Sequence, residues 1–257
     1  MTGFASSWLD LREPADHAAR NADLVQSLSD WARGRTRLTV VDLGCGTGST
    51  VRALTAHVPD TTNWHLVDSD PSLLAEAHRR HGNIITAVHQ IDLVNGLDQI
   101  AHLSPNLITA SALFDLVSQD FIDRFVGLGV DLGAAVYVAL TYDGQSDWSP
   151  PHKDDEAVTA AFHTDMRCDK GFGPALGPSA AAALAAALTA QGYAVSTGDS
   201  IWVLDASQSA LIGELTDGIV EAAARHMSPD RAAAWGQAQR AAPTIRIGHT
   251  DILALPV

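Results

Sequence analysis

Apolar residues along this chain arrive in short runs separated by stretches of helical spacing, and the two patterns alternate. Residues 14–33 read as an amphipathic helix, opened near Pro14 and closed by Gly34. Leu38-Thr39-Val40-Val41 follows and ends in Asp42, as a buried parallel strand bounded by turn signals would. A glycine-rich loop and a helical stretch to about His57 complete the unit, which then repeats. Trp64 to Val67 is a strand ending in Asp68, and Pro71 opens a helix with Leu73, Leu74 and Ala77 on one face. Residues 84–88 predict a third strand, ending near Asp92, and residues 107–110 and 134–140 a fourth and fifth. Strands alternating with helices predict a doubly wound, mostly parallel α/β sheet covered by helices on both faces.

The rhythm changes at Thr141. Residues 141–178 hold Tyr142, Asp143, several turn signals and the run Lys170-Gly171-Phe172-Gly173-Pro174, too long and too specialised for a plain connector. The stretch from Ser179 to Ala190 is nearly all Ala and Leu and predicts a helix with Ser179 as its N-cap. Two more helices fit 206–226 and 229–241, and the chain closes on a strand pattern at 245–255. There is no internal repeat.

Composition narrows the function classes. A chain of 257 residues with 46% hydrophobic and 18% charged residues is ordinary for one globular domain. No apolar run approaches the ~20 residues of a membrane span, and the N-terminal stretch carries acids where a signal peptide is apolar. The expectation is a cytoplasmic protein without a membrane partner. Sixteen Lys and Arg against 30 Asp and Glu leave a formal charge of −14, which repels phosphate backbones and argues against nucleic acid. Two cysteines, Cys45 and Cys168, make neither a disulfide scaffold nor a metal site, and no histidine pair has ligand spacing on a convincing helix.

The strongest chemical signal is Asp42-Leu43-Gly44-Cys45-Gly46-Thr47-Gly48. Its glycines let the backbone turn sharply and approach a ligand, and the helix N-terminus behind them offers free amides. A dinucleotide loop would place a third glycine at Ser49, and Asp42 would repel a pyrophosphate; a carboxylate there suits an α-amino group. Asp68, with Ser69 beside it, ends the second strand and can accept both hydroxyls of a ribose. Asp92 ends the third and can accept from an adenine amine, with Leu93 against the ring.

The ordered trio of the glycine loop, Leu66-Val67-Asp68-Ser69-Asp70-Pro71 and Ile91-Asp92-Leu93 resembles the class I S-adenosylmethionine-dependent methyltransferases over roughly residues 35–140. Asn106 departs from the acid that many members carry before the fourth strand. The resemblance implies a Rossmann-like, seven-stranded sheet in the order 3-2-1-4-5-7-6 with strand 7 antiparallel. Residues 193–197 would be strand 6, with a helical insertion between strands 6 and 7. It implies S-adenosyl-L-methionine as cofactor and one domain over 1–257. Residues 1–34 would be a helical cap, 35–140 the cofactor-binding half, 141–178 a lid or substrate segment, and 179–257 the C-terminal helices and strands. Two other readings are a nicotinamide-dependent oxidoreductase on a similar fold and a non-catalytic cofactor-binding protein.

The acceptor side follows from topology, because an acceptor must meet the methyl group above the tips of strands 4 and 5. Ser111 and the segment holding Tyr142, Asp143, Trp148, His152, Arg167, Lys170 and Phe172 reach that mouth. Arg167 and Lys170 suggest a small polar or anionic acceptor, and His163 and Tyr142 compete as the base. Arg12 or Arg20 either holds the cofactor carboxylate or lies on a solvated helix face. The partner is a small molecule, and a homodimer is left open.

Overall fold

The computed structural model describes residues 5–257, so the first four residues of the expected cap lie outside it. The chain opens with α1 (Ser6–Ala19) and α2 (Ala22–Arg33). The single helix expected over 14–33 is therefore two, divided at Asn21. The Asn21 side chain accepts from the Leu24 N–H at 3.1 Å and so starts a new helix, while its own N–H donates to Asp251 Oδ2 at 2.9 Å. Pro14 lies inside α1, not at its start. An i,i+4 ion pair, Arg12 to Asp16, spans it, and a tertiary bond from Trp202 to Asp16 ties the helix down beside it.

The expected alternation then runs through β1 (Leu38–Leu43), α3 (Ser49–Leu54), β2 (Thr62–Asp68), α4 (Pro71–His81), β3 (Ile85–Gln90), α5 (Leu93–Gly96), β4 (Leu107–Ser111) and α6 (Gln119–Leu132). β5 (Ala135–Ser149) is the longest strand, and α7 (Asp155–Met166) and α8 (Ala180–Ala190) follow it. β6 (Ala194–Asp199), β7 (Trp202–Asp205), α9 (Ser209–Ala223), α10 (Pro229–Gln239) and β8 (Thr244–Leu255) complete the chain. The sheet order is β3-β2-β1-β4-β5-β8-β6. β1 to β5 pair in parallel and β8 runs antiparallel between β5 and β6. This is the Rossmann-like methyltransferase order, plus an eighth strand: β7 adds to the far end of β8.

One face of the sheet is covered by α6 and α8, where Phe121, Phe125 and Leu184 are buried, and the other by α2, α3 and α4, where Leu28, Leu54 and Leu74 are buried. A third core lies beyond the strand ends. There β5 continues past Leu140, so residues 141–149, expected in a lid, are sheet instead. Tyr142 and Trp148 on that extension are buried against α1, α7, α9 and α10. Burying these large rings offsets the cost of prolonging the strand, which slips register with β8 between Val138 and Thr141 and again between Tyr142 and Ser146. Ser179 precedes α8 but donates its hydroxyl to the Leu176 carbonyl at 2.8 Å and caps no amide. Among the described residues no helix is long and apolar enough to cross a membrane.

Candidate active site

At the carboxyl ends of the strands the chain leaves β1 through Gly44, Gly46 and Gly48, all with positive φ. Gly46 cannot be replaced cheaply: φ is +52°, and a β-carbon there would lie 2.9 Å from Leu9 Cδ1. The Gly46 N–H donates to Asp68 Oδ2 at 2.9 Å and the Asp70 N–H to Asp68 Oδ1 at 3.0 Å. Asp68 thus ties the loop to the tip of β2 and keeps further lone pairs on both oxygens.

Above this loop lies a cavity of about 660 Å³. Ser69 beside Asp68, Ser111 at the end of β4, and Leu9 and Arg12 of α1 stand on its wall. Asp92 and Leu93 line it from the β3–α5 turn, and Phe172 reaches it from the far segment. Asp92 also acts as a cap: its two oxygens accept from the Val94 N–H at 3.0 Å and the Asn95 amide at 2.9 Å. Cys45 is on the wall, and burial together with the carboxylates of Asp42 and Asp68 pushes its thiol well up, so it stays protonated.

Asp42 does not reach the cavity wall. It is buried in β1, where Thr109 Oγ1 donates to Oδ1 at 2.7 Å and Oδ2 has no partner. Burial pushes its pKa up to about 7. Of the two modes expected of it, contact with a ligand amine directly or through water, the direct one is not available from this position. The polar wall is supplied by Ser111 and Thr50, 3.2 Å apart, with Arg20 Nη2 donating to Ser111 Oγ at 2.9 Å. Of the two arginines, Arg12 is on the cavity wall and Arg20 stands behind Ser111. Arg12 is bidentate on Asp16, at 2.9 and 3.0 Å.

A second cavity, of about 170 Å³, adjoins the first and shares Arg12, Ala112 and Leu116 with it. Its wall is aromatic: Trp8, Tyr142, Trp148, Phe162, Trp202 and Trp235. Trp148 and Trp235 meet edge to face, 4.9 Å between ring centres. Arg12, Ser146 and Thr159 also line it, and three further polar groups matter for its chemistry. The Tyr142 hydroxyl is 3.0 Å from His163 Nε2. His249 has no partner for Nδ1, and burial pushes its pKa down to about 3, so the ring is neutral. Asp115 has no partner for its buried Oδ1, and burial pushes its pKa up to about 6. Ala112 and Leu140, on the same wall, adopt left-handed backbone at φ +51° and +59°, conformations that side-chain-bearing residues rarely hold without a surrounding structure that enforces them.

Several expected acceptor residues lie elsewhere. His163 backs Tyr142 but is not on the wall; burial and Arg167 hold its pKa below the usual imidazole value. Burial pushes the Tyr142 phenol up, so the resting group holds its proton and can donate a hydrogen bond. Asp143 accepts from the Gln145 N–H at 2.8 Å, and His152 Nδ1 accepts from the Asp154 N–H at 3.2 Å; both close turns outside the cavities. Arg167 is exposed, and Lys170 donates to Asp165 at 2.7 Å, so these two cations form no anion site on either wall. Asp165, Cys168 and His226 lie within 4.8 Å of one another, but Asp165 already accepts from Lys170 and, at 3.2 Å, from Arg225. Trp8, Asp115, Trp202 and Trp235 were not anticipated. Their one sequence signal is the tryptophan count, because four of the chain's six line this cavity.

Residues 40–126 match a family model described as a methyltransferase domain. No curated protein matches the chain in sequence. Among solved structures, the YcgJ protein from Bacillus subtilis has a TM-score of 0.52 at 12% identity, covering 91% of this chain and 98% of its own. A cyclopropane-fatty-acyl-phospholipid synthase-like protein from Lactobacillus casei has a TM-score of 0.50 at 13% identity, covering 95% and 99%. A methyltransferase from Geobacter sulfurreducens, solved with S-adenosyl-L-homocysteine, has a TM-score of 0.45 at 15% identity, and both chains are covered in full.

Proposed function

We propose that this chain, whose residues 40–126 match a methyltransferase-domain model, is a class I S-adenosylmethionine-dependent methyltransferase, and that its two cavities receive the two ligands of that reaction. The larger cavity takes the cofactor and the aromatic one the methyl acceptor, a small molecule reached in line from the cofactor side. The observation that supports this reading is the shared wall of Arg12, Ala112 and Leu116, through which the two cavities adjoin beyond the end of β4.

The larger cavity fits its ligand. Its volume lies within the roughly 300–1,000 Å³ of small-molecule sites, and the bare Gly46 leaves room where a β-carbon would press on Leu9. Asp68 accepts the ribose hydroxyls, Asp92 and Leu93 take the adenine, and Ser69 borders the ribose. Gly44, Cys45, Gly46 and Gly48 carry the backbone past the amino-acid portion. Arg12 or Ser111 meets its carboxylate. When bound, the cofactor supplies an electrophilic methyl on a sulfonium, whose leaving group is already activated. The protein then mainly aligns the acceptor and excludes water, which the tryptophans of the second cavity do well. Tyr142, backed by His163, orients the acceptor.

Asp68→Ala tests the cofactor assignment. It removes a charged acceptor of two hydroxyls, so calorimetry should show S-adenosylhomocysteine affinity falling by about 2–4 kcal/mol. Unchanged affinity with an unchanged melting temperature would refute the assignment.

A further inference from the structure

We propose that the acceptor is an amine and that Asp115 is its partner in the aromatic cavity, receiving its proton before methyl transfer. This rests on the reading of that cavity as the acceptor site. Among the described residues Asp115 is the only carboxylate on the aromatic wall, and its buried Oδ1 has no hydrogen-bond partner. It stands on the turn after β4, between Ala112 and Leu116, the residues common to both cavities. A group bound to Asp115 therefore lies at the cofactor side of the cavity, where the methyl must arrive.

The charges on the wall select a cation. Arg12 faces the same space, but its guanidinium is bidentate on Asp16, which also accepts from Trp202 Nε1 at 3.1 Å, and it lies 5.0 Å over the Trp202 ring. Asp16 takes both of its hydrogen bonds, and the charge that still reaches Asp115 favours the ionised carboxylate that would pair with an ammonium. His249 stays neutral through burial, and the Tyr142 phenol stays protonated. One unpaired acid remains, inside a box of tryptophan and tyrosine faces whose negative π-surfaces attract an ammonium. Burial raises the Asp115 pKa, which suits a group that must take up a proton and release it again near neutrality.

The step balances as follows. The ammonium passes one proton to Asp115. The freed nitrogen pair forms the new C–N bond while the C–S pair stays on sulfur, leaving a neutral thioether and a methylated ammonium. Asp115 then returns its proton to water.

Three probes of similar shape test this: 2-phenylethylamine, 2-phenylethanol and phenylacetate. Each is titrated by calorimetry into protein saturated with S-adenosylhomocysteine. The amine should bind at least about tenfold more tightly than the alcohol and the carboxylate. Asp115→Asn should erase that preference while leaving the alcohol within about twofold of wild type. With an amine acceptor, turnover by Asp115→Asn should recover as pH rises through the amine's own pKa. An amine that binds no better than the alcohol, or equally well to Asp115→Asn, overturns the role of Asp115 and leaves the cavity assignment standing. If the alcohol itself fails to bind, or binds unchanged when Leu215→Trp fills the cavity, the cavity assignment falls, and the amine proposal with it.

Discussion

Single carboxylates near the strand tips do different work according to burial. Asp68 ties down the backbone of the glycine loop and Asp92 caps α5, each with lone pairs to spare, while Asp251 accepts from a cluster of donors: the N–H groups of Asn21 and Leu140 and, at 3.3 Å, the Tyr137 hydroxyl. Asp42 is sealed inside the sheet with one oxygen unpartnered, and its folded pKa of about 7 lies above an unfolded value near 3.9. Its stabilising contribution is therefore fully present below about pH 4 and is lost as pH rises through about 7. Asp42→Asn removes that dependence. Urea unfolding at pH 8 should find the variant more stable than wild type by about 2 kcal/mol, with the gap closing or reversing near pH 5. Equal destabilisation at both pH values would mean that the ionised carboxylate is the form the fold requires. The sequence places Asp42 at a strand end beside a glycine loop, but it does not show that the strand's last turn of side chains points inward.

The elements that alternate are the ones legible in the chain. Runs such as Leu38–Val41 and Ile108–Ala110 are short, apolar and bounded by turn residues, and they became β1 and β4 of the parallel sheet. The extension of β5 was not legible, because Tyr142-Asp143-Gly144-Gln145-Ser146 carries turn residues inside a strand. That segment pairs with β8 only because its rings find partners some 90 residues away in sequence: Trp148 meets Trp235, and the Trp235 Nε1 donates to Asp155 at 2.6 Å. Such pairings leave no local period to read. They also predict what truncating Trp235 does. It is 1% exposed, and Trp235→Ala should cost about 3–5 kcal/mol in chemical unfolding. In the folded fraction S-adenosylhomocysteine affinity should hold while acceptor turnover falls, because Trp235 lines only the aromatic cavity. A parallel loss of cofactor affinity would show that the third core also shapes the larger cavity.

At the scale of the whole molecule, the proposed cofactor cavity was legible because loops at strand ends, marked by glycines or acids, line it. The aromatic cavity was not, because its wall is assembled from α1, the turn after β4, β5, α7, β7, α9, α10 and β8. Cations in the 141–178 segment suggested an anion; the fold instead pairs Lys170 with Asp165, leaves Arg167 exposed, and brings tryptophans from both ends of the chain inward. The shared wall has a thermodynamic consequence. Arg12, Ala112 and Leu116 cannot shift to suit one ligand without altering the surface offered to the other. Occupancy of one cavity then changes affinity in the other, and linkage makes the effect reciprocal: the factor by which S-adenosylhomocysteine alters phenylethanol binding is the factor by which phenylethanol alters its own. Calorimetric titrations in both orders should give one common factor, on the order of fivefold or more. A factor of one would mean a rigid partition and two ligands that bind as strangers.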